Sequence, residues 1–337
     1  MVEMSELLAL CVEKQASDLH LSAAMPPMVR IQGKLCRLNY PELSAETVAR
    51  LLDSVMDEVQ QRDYRLHLET DFALELPDCG RFRVNAFTAA RGPAAVFRHI
   101  PDKIPSLDEI NAPAALRHAA DYPDGLVLLT GPTGSGKSTT LAALIDHINT
   151  HRPAHILTIE DPIEFVHRSK QSLINQRELH RHTQSFHHAL RSALREDPDV
   201  ILIGEMRDAE TIRLALTAAE TGHLVFSTLH TGSAAKAVDR IIDVFPAGEK
   251  EAVRTMLAES LQAVVAQTLL PTRQGRRIAA HEILTATPAV RHLIREHKTA
   301  QLYSAMQTGQ AHGMQTMEQA QNLLVRQGVI AAPTAGK

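Results

Sequence analysis

The 337-residue chain contains no tryptophan, and only 4% of its residues are aromatic. Few rings are therefore available to stack on unpaired bases. Lys and Arg number 35 against 39 Asp and Glu, a net charge of −4, so no basic field awaits a phosphate backbone. Nucleic acid is not an expected partner. The three cysteines, Cys11, Cys36 and Cys79, stand far apart with no Cys-x-x-Cys spacing. That excludes a cysteine zinc site and a disulfide framework. No apolar run approaches the ~18 residues of a membrane-spanning helix. Glu3, Glu6 and Glu13 interrupt the first apolar stretch, which argues against a signal peptide and for the cytoplasm.

What is present is more specific. Leu126-Val-Leu-Leu-Thr130 is a short apolar run, and Leu141, Leu144, Ile145 and Ile148 form the stripe of an amphipathic helix. Between them lie Gly131, Pro132, Thr133, Gly134, Ser135, Gly136, Lys137 and Ser138, the spacing G-x-x-x-x-G-K-[ST]. Strand, glycine loop and helix together make a phosphate cradle, because glycine backbones let successive N–H groups face one anion at a helix N-terminus. This segment, with Thr139, is expected to bind ATP. Lys137 is expected at the β- and γ-phosphates, and Ser138 at Mg²⁺.

At this length two domains are the default. Residues 1–100 read as a small α+β domain. Val48 to Val59 recur at helical spacing, predicting a helix over about 45–61. Alternating strands follow at 72–76, 82–86 and 94–100, with a turn at Pro77-Asp-Cys-Gly80 and a wet face carrying Arg81, Arg83 and Asn85. The prolines at 101, 105, 113 and 123 mark 101–123 as a linker with a short helix near 112–120. Residues 124–337 form the second domain. Apolar runs at 126–130, 156–159, 200–203 and 224–229 alternate with helical patterns, the rhythm of an α/β fold with a mostly parallel sheet. Residues 249–270 predict a long helix, the chain from 271 onward looks helical, and its Gly/Ala/Pro tail is expected to be loose.

Hydrolysis needs positioned charge as well as a cradle. Val200-Ile-Leu-Ile-Gly-Glu205 is an apolar strand ending in a carboxylate, with Gly204 where a metal-holding Asp commonly stands. Glu205 is read as the residue that polarises the attacking water. Charge near Mg²⁺ must then come from elsewhere, and Glu160, Asp161 and Glu164, after the preceding strand, are the candidates. Asp161-Pro162 also fits an ordinary turn start. His223 precedes a buried strand and His230 ends it, so the pair straddles the sheet, where an imidazole can meet the γ-phosphate or its water. A satisfied core histidine is the plainer alternative for each. His180, His182, His187 and His188 are read as a solvated polar segment rather than a metal site.

Together these motifs resemble the type II/IV secretion ATPases, and within them the retraction ATPases of type IV pili. The resemblance runs from Ala16-Ser-Asp-Leu-His20 through Gly80-Arg-Phe-Arg-Val-Asn85, the phosphate loop, the acidic box at 159–164 and Leu190 to Pro198. It continues to the Gly204-Glu205 strand and the two-histidine box at 221–230. It implies a PAS-like N-terminal domain, a RecA-like ATPase domain with a helical C-terminal part, and a homohexameric ring. It implies work on an inner-membrane platform protein at the cytoplasmic face, with a second retraction ATPase as an open further partner. By motif position, Arg83 and Arg98 would be arginine fingers, and Arg191 and Arg195 would line the phosphate side or a subunit boundary. Ala289-Val-Arg-His-Leu-Ile-Arg-Glu296 is similar to the retraction signature Ala-Ile-Arg-Asn-Leu-Ile-Arg-Glu, departing at Val290 and His292. Periodicity alone makes that segment an amphipathic surface helix with Arg291 and Arg295 outside. An assembly or type II secretion ATPase, or an accessory nucleotide-gated subunit, remains the alternative.

Overall fold

The computed structural model describes residues 2–31, 33–77, 79–100 and 103–332. The chain divides into two compact units, residues 1–103 with 164–166, and residues 104–163 with 167–337. The expected turn at 77–80 and the start of the expected linker include residues outside the described ones, as does the tail beyond 332.

The first unit contains α1 (Met4–Glu13), β1 (Asp18–Ser22), β2 (Met28–Ile31), β3 (Lys34–Arg37), α2 (Ala45–Asp53), α3 (Glu58–His67), β4 (Glu69–Leu76), β5 (Gly80–Ala89) and β6 (Gly92–Ile100). Its six strands form one antiparallel sheet in the order β3-β2-β1-β6-β5-β4. Alternation sends Phe82, Val84 and Ala86 into a core with Leu7, Leu8, Leu19, Leu51 and Phe97. Arg81, Arg83 and Asn85 take the other, half-buried face of β5. The single helix expected over 45–61 is two helices. Asp57 accepts a bond from the Gln60 backbone N–H, and the Gln60 side chain accepts one from Asp57, so a capping box starts a new helix there.

The second unit continues with α4 (Ala114–Asp121), β7 (Gly125–Thr130), α5 (Lys137–His151), β8 (His155–Glu160), β9 (Leu173–Glu178), α6 (Phe186–Ala193), β10 (Val200–Ile203), α7 (Ala209–Glu220), β11 (Leu224–Leu229), α8 (Ala234–Asp243), α9 (Lys250–Ser260), β12 (Leu261–Pro271), β13 (Arg277–Thr285), α10 (Pro288–Arg295), α11 (Leu302–Thr308) and α12 (Met317–Arg326). The sheet runs β13-β12-β7-β11-β10-β8-β9, parallel except where β13 pairs with β12. The resulting α/β domain is RecA-like, with β11 inserted between the loop strand and the acidic strand.

Helices cover both faces, which explains the unbroken apolar runs. Val127 and Leu129 pack with Leu116, Leu144 and Ile145 of α4 and α5, while Leu126 and Leu128 pack with Ile212, Leu216, Val253 and Leu257 of α7 and α9. Truncating Leu128, fully buried, to Ala should cost about 2–5 kcal/mol. Residues 104–123 are not a bare linker, since Leu107, Leu116, Ala119 and Ala120 are buried in this core.

Two expectations for the C-terminal part are corrected. The helix expected over 249–270 ends at Ser260, and Leu261 turns extended, φ −64° and ψ 132°, to begin β12. A strand buried on both faces is continuously apolar, so its residues also satisfy a helical stripe; the adjacent Val264 and Val265 favour the strand. The chain after 271 is likewise not all helical, because β13 folds back through a turn whose Gly275 has φ +77°. On α10, Arg291 is not an outward residue. Its guanidinium donates to the carbonyls of Ala258 (2.6 Å), Glu259 (2.5 Å) and Ala286 (3.0 Å), capping the C-terminus of α9 with positive charge.

Candidate nucleotide site

The six residues of β7 are all buried, and this central strand delivers Gly131 to the carboxyl edge of the sheet. Gly131, Gly134 and Gly136 have φ of +148°, +78° and +87°, values L side chains rarely adopt. Such turns aim successive N–H groups into one concavity, and α5 begins directly after Gly136. A Cβ on Gly131 would lie 2.3 Å from the Gln267 carbonyl oxygen, so this position admits nothing larger. Lys137 is 8% exposed, and its Nζ donates to the carbonyls of Gly131 (2.8 Å) and Pro132 (3.2 Å), which holds the ammonium across the loop. Ser135 is buried, and its Oγ has no hydrogen-bond partner among the described residues. An unmatched buried hydroxyl costs about 1–3 kcal/mol. A phosphate oxygen is the acceptor this loop is shaped to supply. Pro132, Thr133, Gly134 and Ser138 are exposed and Thr139 is partly so, leaving the mouth of the loop and the Ser138 hydroxyl open.

The neighbouring strand ends are laced together. Thr130 Oγ1 meets Thr231 Oγ1 at 2.8 Å and accepts from the Thr231 N–H at 2.9 Å, tying β7 to β11. Thr228 Oγ1 donates to the Gly204 carbonyl (2.6 Å), and the Gly204 N–H donates to that of Ile159 (2.8 Å). Through this lacing Glu205 and His230 come together, with His230 Nε2 3.3 Å from Glu205 Oε2. Beside a carboxylate the ring nitrogen is the donor. Arg207 closes on the other oxygen of Glu205 at 2.5 Å. Glu205, 15% exposed at its side chain, thus sits between two cationic or donating groups.

Other expected site residues lie elsewhere. His223 stands at the start of β11, and Leu224 is opposite Gly125 while Leu229 is opposite Thr130. Six strand residues put it about 20 Å from the loop of its own chain. Its Nδ1 lies 3.0 Å from the Ala218 carbonyl at the end of α7. The two histidines lie at opposite ends of β11, His230 on the loop's edge and His223 on the other. Glu160 ends β8, three strands from β7, or about 14 Å by strand spacing. Its Oε1 accepts from Thr158 (2.8 Å) and Gln176 (3.2 Å). Glu164 groups with the first unit.

Within that unit Arg83 and Arg98 face each other across β5 and β6. Arg98 Nε donates to buried Asp18 at 3.0 Å, and Arg30 lies 3.8 Å from the same carboxylate. Arg191 is exposed and pairs with Glu210 at 3.4 Å; Arg195 is exposed just past the end of α6. His182 Nδ1 accepts from the Glu178 N–H (3.0 Å), the His187 and His188 rings touch at a tilt of 54°, and no group of three ligands for a metal ion exists among the described residues.

Three participants were not foreseen: Arg207, the Thr130–Thr231 clasp, and Gln267 under the loop. Arg207 is a cation two residues after the acidic strand end, which a scan for carboxylate partners would find. Gln267 had no signal while its segment was read as helix.

A phosphate loop on a central strand, with a carboxylate and an imidazole at adjoining strand ends, defines a nucleoside triphosphatase of RecA-like fold. The profile of the family described as "Type II/IV secretion system protein" matches residues 3–275, and the chain belongs to that family. It is 66% identical over 310 residues to the "Twitching motility protein" of Neisseria gonorrhoeae, covering 92% of this chain and 83% of that one. It is 58% identical over 334 residues to the "Type IV pilus retractation ATPase PilT" of Pseudomonas aeruginosa, covering 99% and 97%. Among solved structures, the pilus retraction motor PilT with bound ADP aligns at a TM-score of 0.91 and 45% identity, covering 99% of this chain and 98% of that one. No helix among the described residues is long and apolar enough to cross a membrane.

Proposed function

We propose that the protein is the ATP-hydrolysing motor of type IV pilus retraction. It acts as a homohexameric ring at the cytoplasmic face of the inner membrane, against a platform protein there. The observation that carries this reading is the meeting of the glycine loop, Glu205 and His230 at one sheet edge, in a chain alike to PilT over nearly its whole length.

The loop's N–H groups and Lys137 grip the phosphates, and Glu205 takes the proton of the attacking water. His230, bonded to Glu205, orients that carboxylate and senses the departing phosphate. Arg83 and Arg98 are cross-strand neighbours on β5 and β6, and Arg98 also donates to Asp18. They serve as arginine fingers, gripping phosphate by paired hydrogen bonds. Mg²⁺ would be held at the exposed Ser138 hydroxyl and would supply charge neutralisation at the phosphates when bound. A hydroxyl oxygen at that position suits a hard cation.

The test pairs biochemistry with cells. The purified protein is expected to hydrolyse ATP only with Mg²⁺, and cells lacking it to keep their pili extended without twitching. Normal retraction in such cells, or restoration by the E205Q variant, would overturn the proposal.

A further inference from the structure

The loop rests on a strand that takes no part in the chemistry described so far. β12 runs parallel to β7 with Ala266 opposite Thr130, so Gln267 comes alongside Gly131. Gln267 is 2% exposed. Its Nε2 donates to the Ser135 carbonyl at 2.7 Å, inside the phosphate loop. Its Oε1 accepts from Thr140 Oγ1 at 2.9 Å, in the first turn of α5. The same Oε1 lies 3.2 Å from His281 Nε2, on the paired strand β13.

These partners leave the amide one orientation. A backbone carbonyl can only accept, so the nitrogen must face Ser135 and the oxygen must face Thr140 and His281. His281 is itself buried, and burial pulls its pKa down to about 4. A neutral ring donates from one nitrogen, and here that nitrogen is Nε2. The series runs His281 to Gln267, then to the loop and the helix it opens. It is buried throughout, where a satisfied network rigidifies its surroundings.

We infer that Gln267 is a positioning residue for nucleotide binding, its amide, aligned by His281, clamping the loop at Ser135 and Thr140 in the shape a triphosphate needs. The inference rests on the reading of the loop as an ATP site. A preformed loop spares the nucleotide the cost of ordering it, so the clamp acts on affinity. Glu205 and His230 hang from β10 and β11 and do not touch Gln267, so turnover at saturation is left largely alone.

The experiment is ADP binding by calorimetry and Mg-ATP kinetics on the assembled protein. The variants are Gln267→Met, which keeps volume and removes all three hydrogen bonds, and Thr140→Val, which removes one. Gln267→Met is expected to raise the ADP Kd and the ATP KM about tenfold, with kcat within about threefold of the parent. Thr140→Val should raise both by about threefold, and the double variant should bind no more weakly than Gln267→Met alone. Amide hydrogen exchange over 131–140 should quicken in Gln267→Met without ligand. Parental ADP affinity in Gln267→Met overturns the inference and leaves the motor reading standing. A fall in kcat with KM unchanged marks a space-filling residue and overturns it equally. Should Gln267→Met not fold, parental affinity in Thr140→Val decides against the clamp. A parent that binds no ADP overturns both readings.

Discussion

At one edge of the seven-stranded sheet, Gly131, Glu205 and His230 follow the ends of β7, β10 and β11; at the other, His223 precedes β11 and Gly125 opens β7. Both edges carry glycine and histidine, and both histidines belong to one ten-residue motif. Only the first edge gathers them. There the strands end in step, and hydrogen bonds from Thr130 to Thr231, Thr228 to Gly204 and Gly204 to Ile159 hold adjoining ends together. At the opposite edge His223 lies by a carbonyl at the C-terminus of α7, a place where an imidazole serves the helix. In a parallel sheet, strand direction sorts a motif's residues into chemical and structural ones before any distance is measured.

That contrast can be broken most forcefully at Gly131. Gly131→Ala drives a Cβ to 2.3 Å from the Gln267 carbonyl oxygen at a φ of +148°, and ADP binding should vanish in calorimetry while the first unit stays folded. His230→Asn loses the contact with Glu205 and should lower kcat on the order of 100-fold with ADP affinity kept. Parental kcat in that variant would remove His230 from the site.

A pH series sharpens the division among histidines. Burial lowers the pKa of both His281 and His167 from 6.5 to about 4. The unfolded chain therefore binds more protons than the folded one between about pH 4 and 6.5, so stability is full above 6.5 and falls on acidification through that window. Each ring contributes on the order of 3 kcal/mol. Denaturant midpoints should drop from pH 6.5 to 4, and less steeply in His167→Gln. An equal slope in that variant would contradict the assignment. The smallest effect is expected from His223→Asn, with ADP affinity within about threefold of the parent. A tenfold loss would mean that this edge is coupled to the loop after all.

The site was legible where chemistry forces a residue type. Glycines at positive φ, a lysine among carbonyls and a carboxylate after an apolar strand leave few alternatives, and the Lys137, Glu205 and His230 that the sequence singled out lie at one edge of the sheet. What escaped had another periodicity's disguise. β12 is buried on both faces, and its Leu261, Val264 and Val265 also satisfy a helical stripe, which hid Gln267. The break between α2 and α3 depends on the Asp57–Gln60 capping box against a continuous apolar pattern. Strands β1 to β3 are four or five residues each, too short to show alternation. Arg291 looked like an outer-face residue because spacing cannot reveal that α9 ends beneath it.

The most direct measurement is single-turnover ATP hydrolysis by Glu205→Gln, with ATP binding followed on the same sample. The carboxylate that meets His230 is expected to be the group that activates water, so hydrolysis should fall on the order of 10²–10⁴-fold while ATP binds as tightly as to the parent. Turnover at the parental rate would contradict the placement of chemistry at this edge.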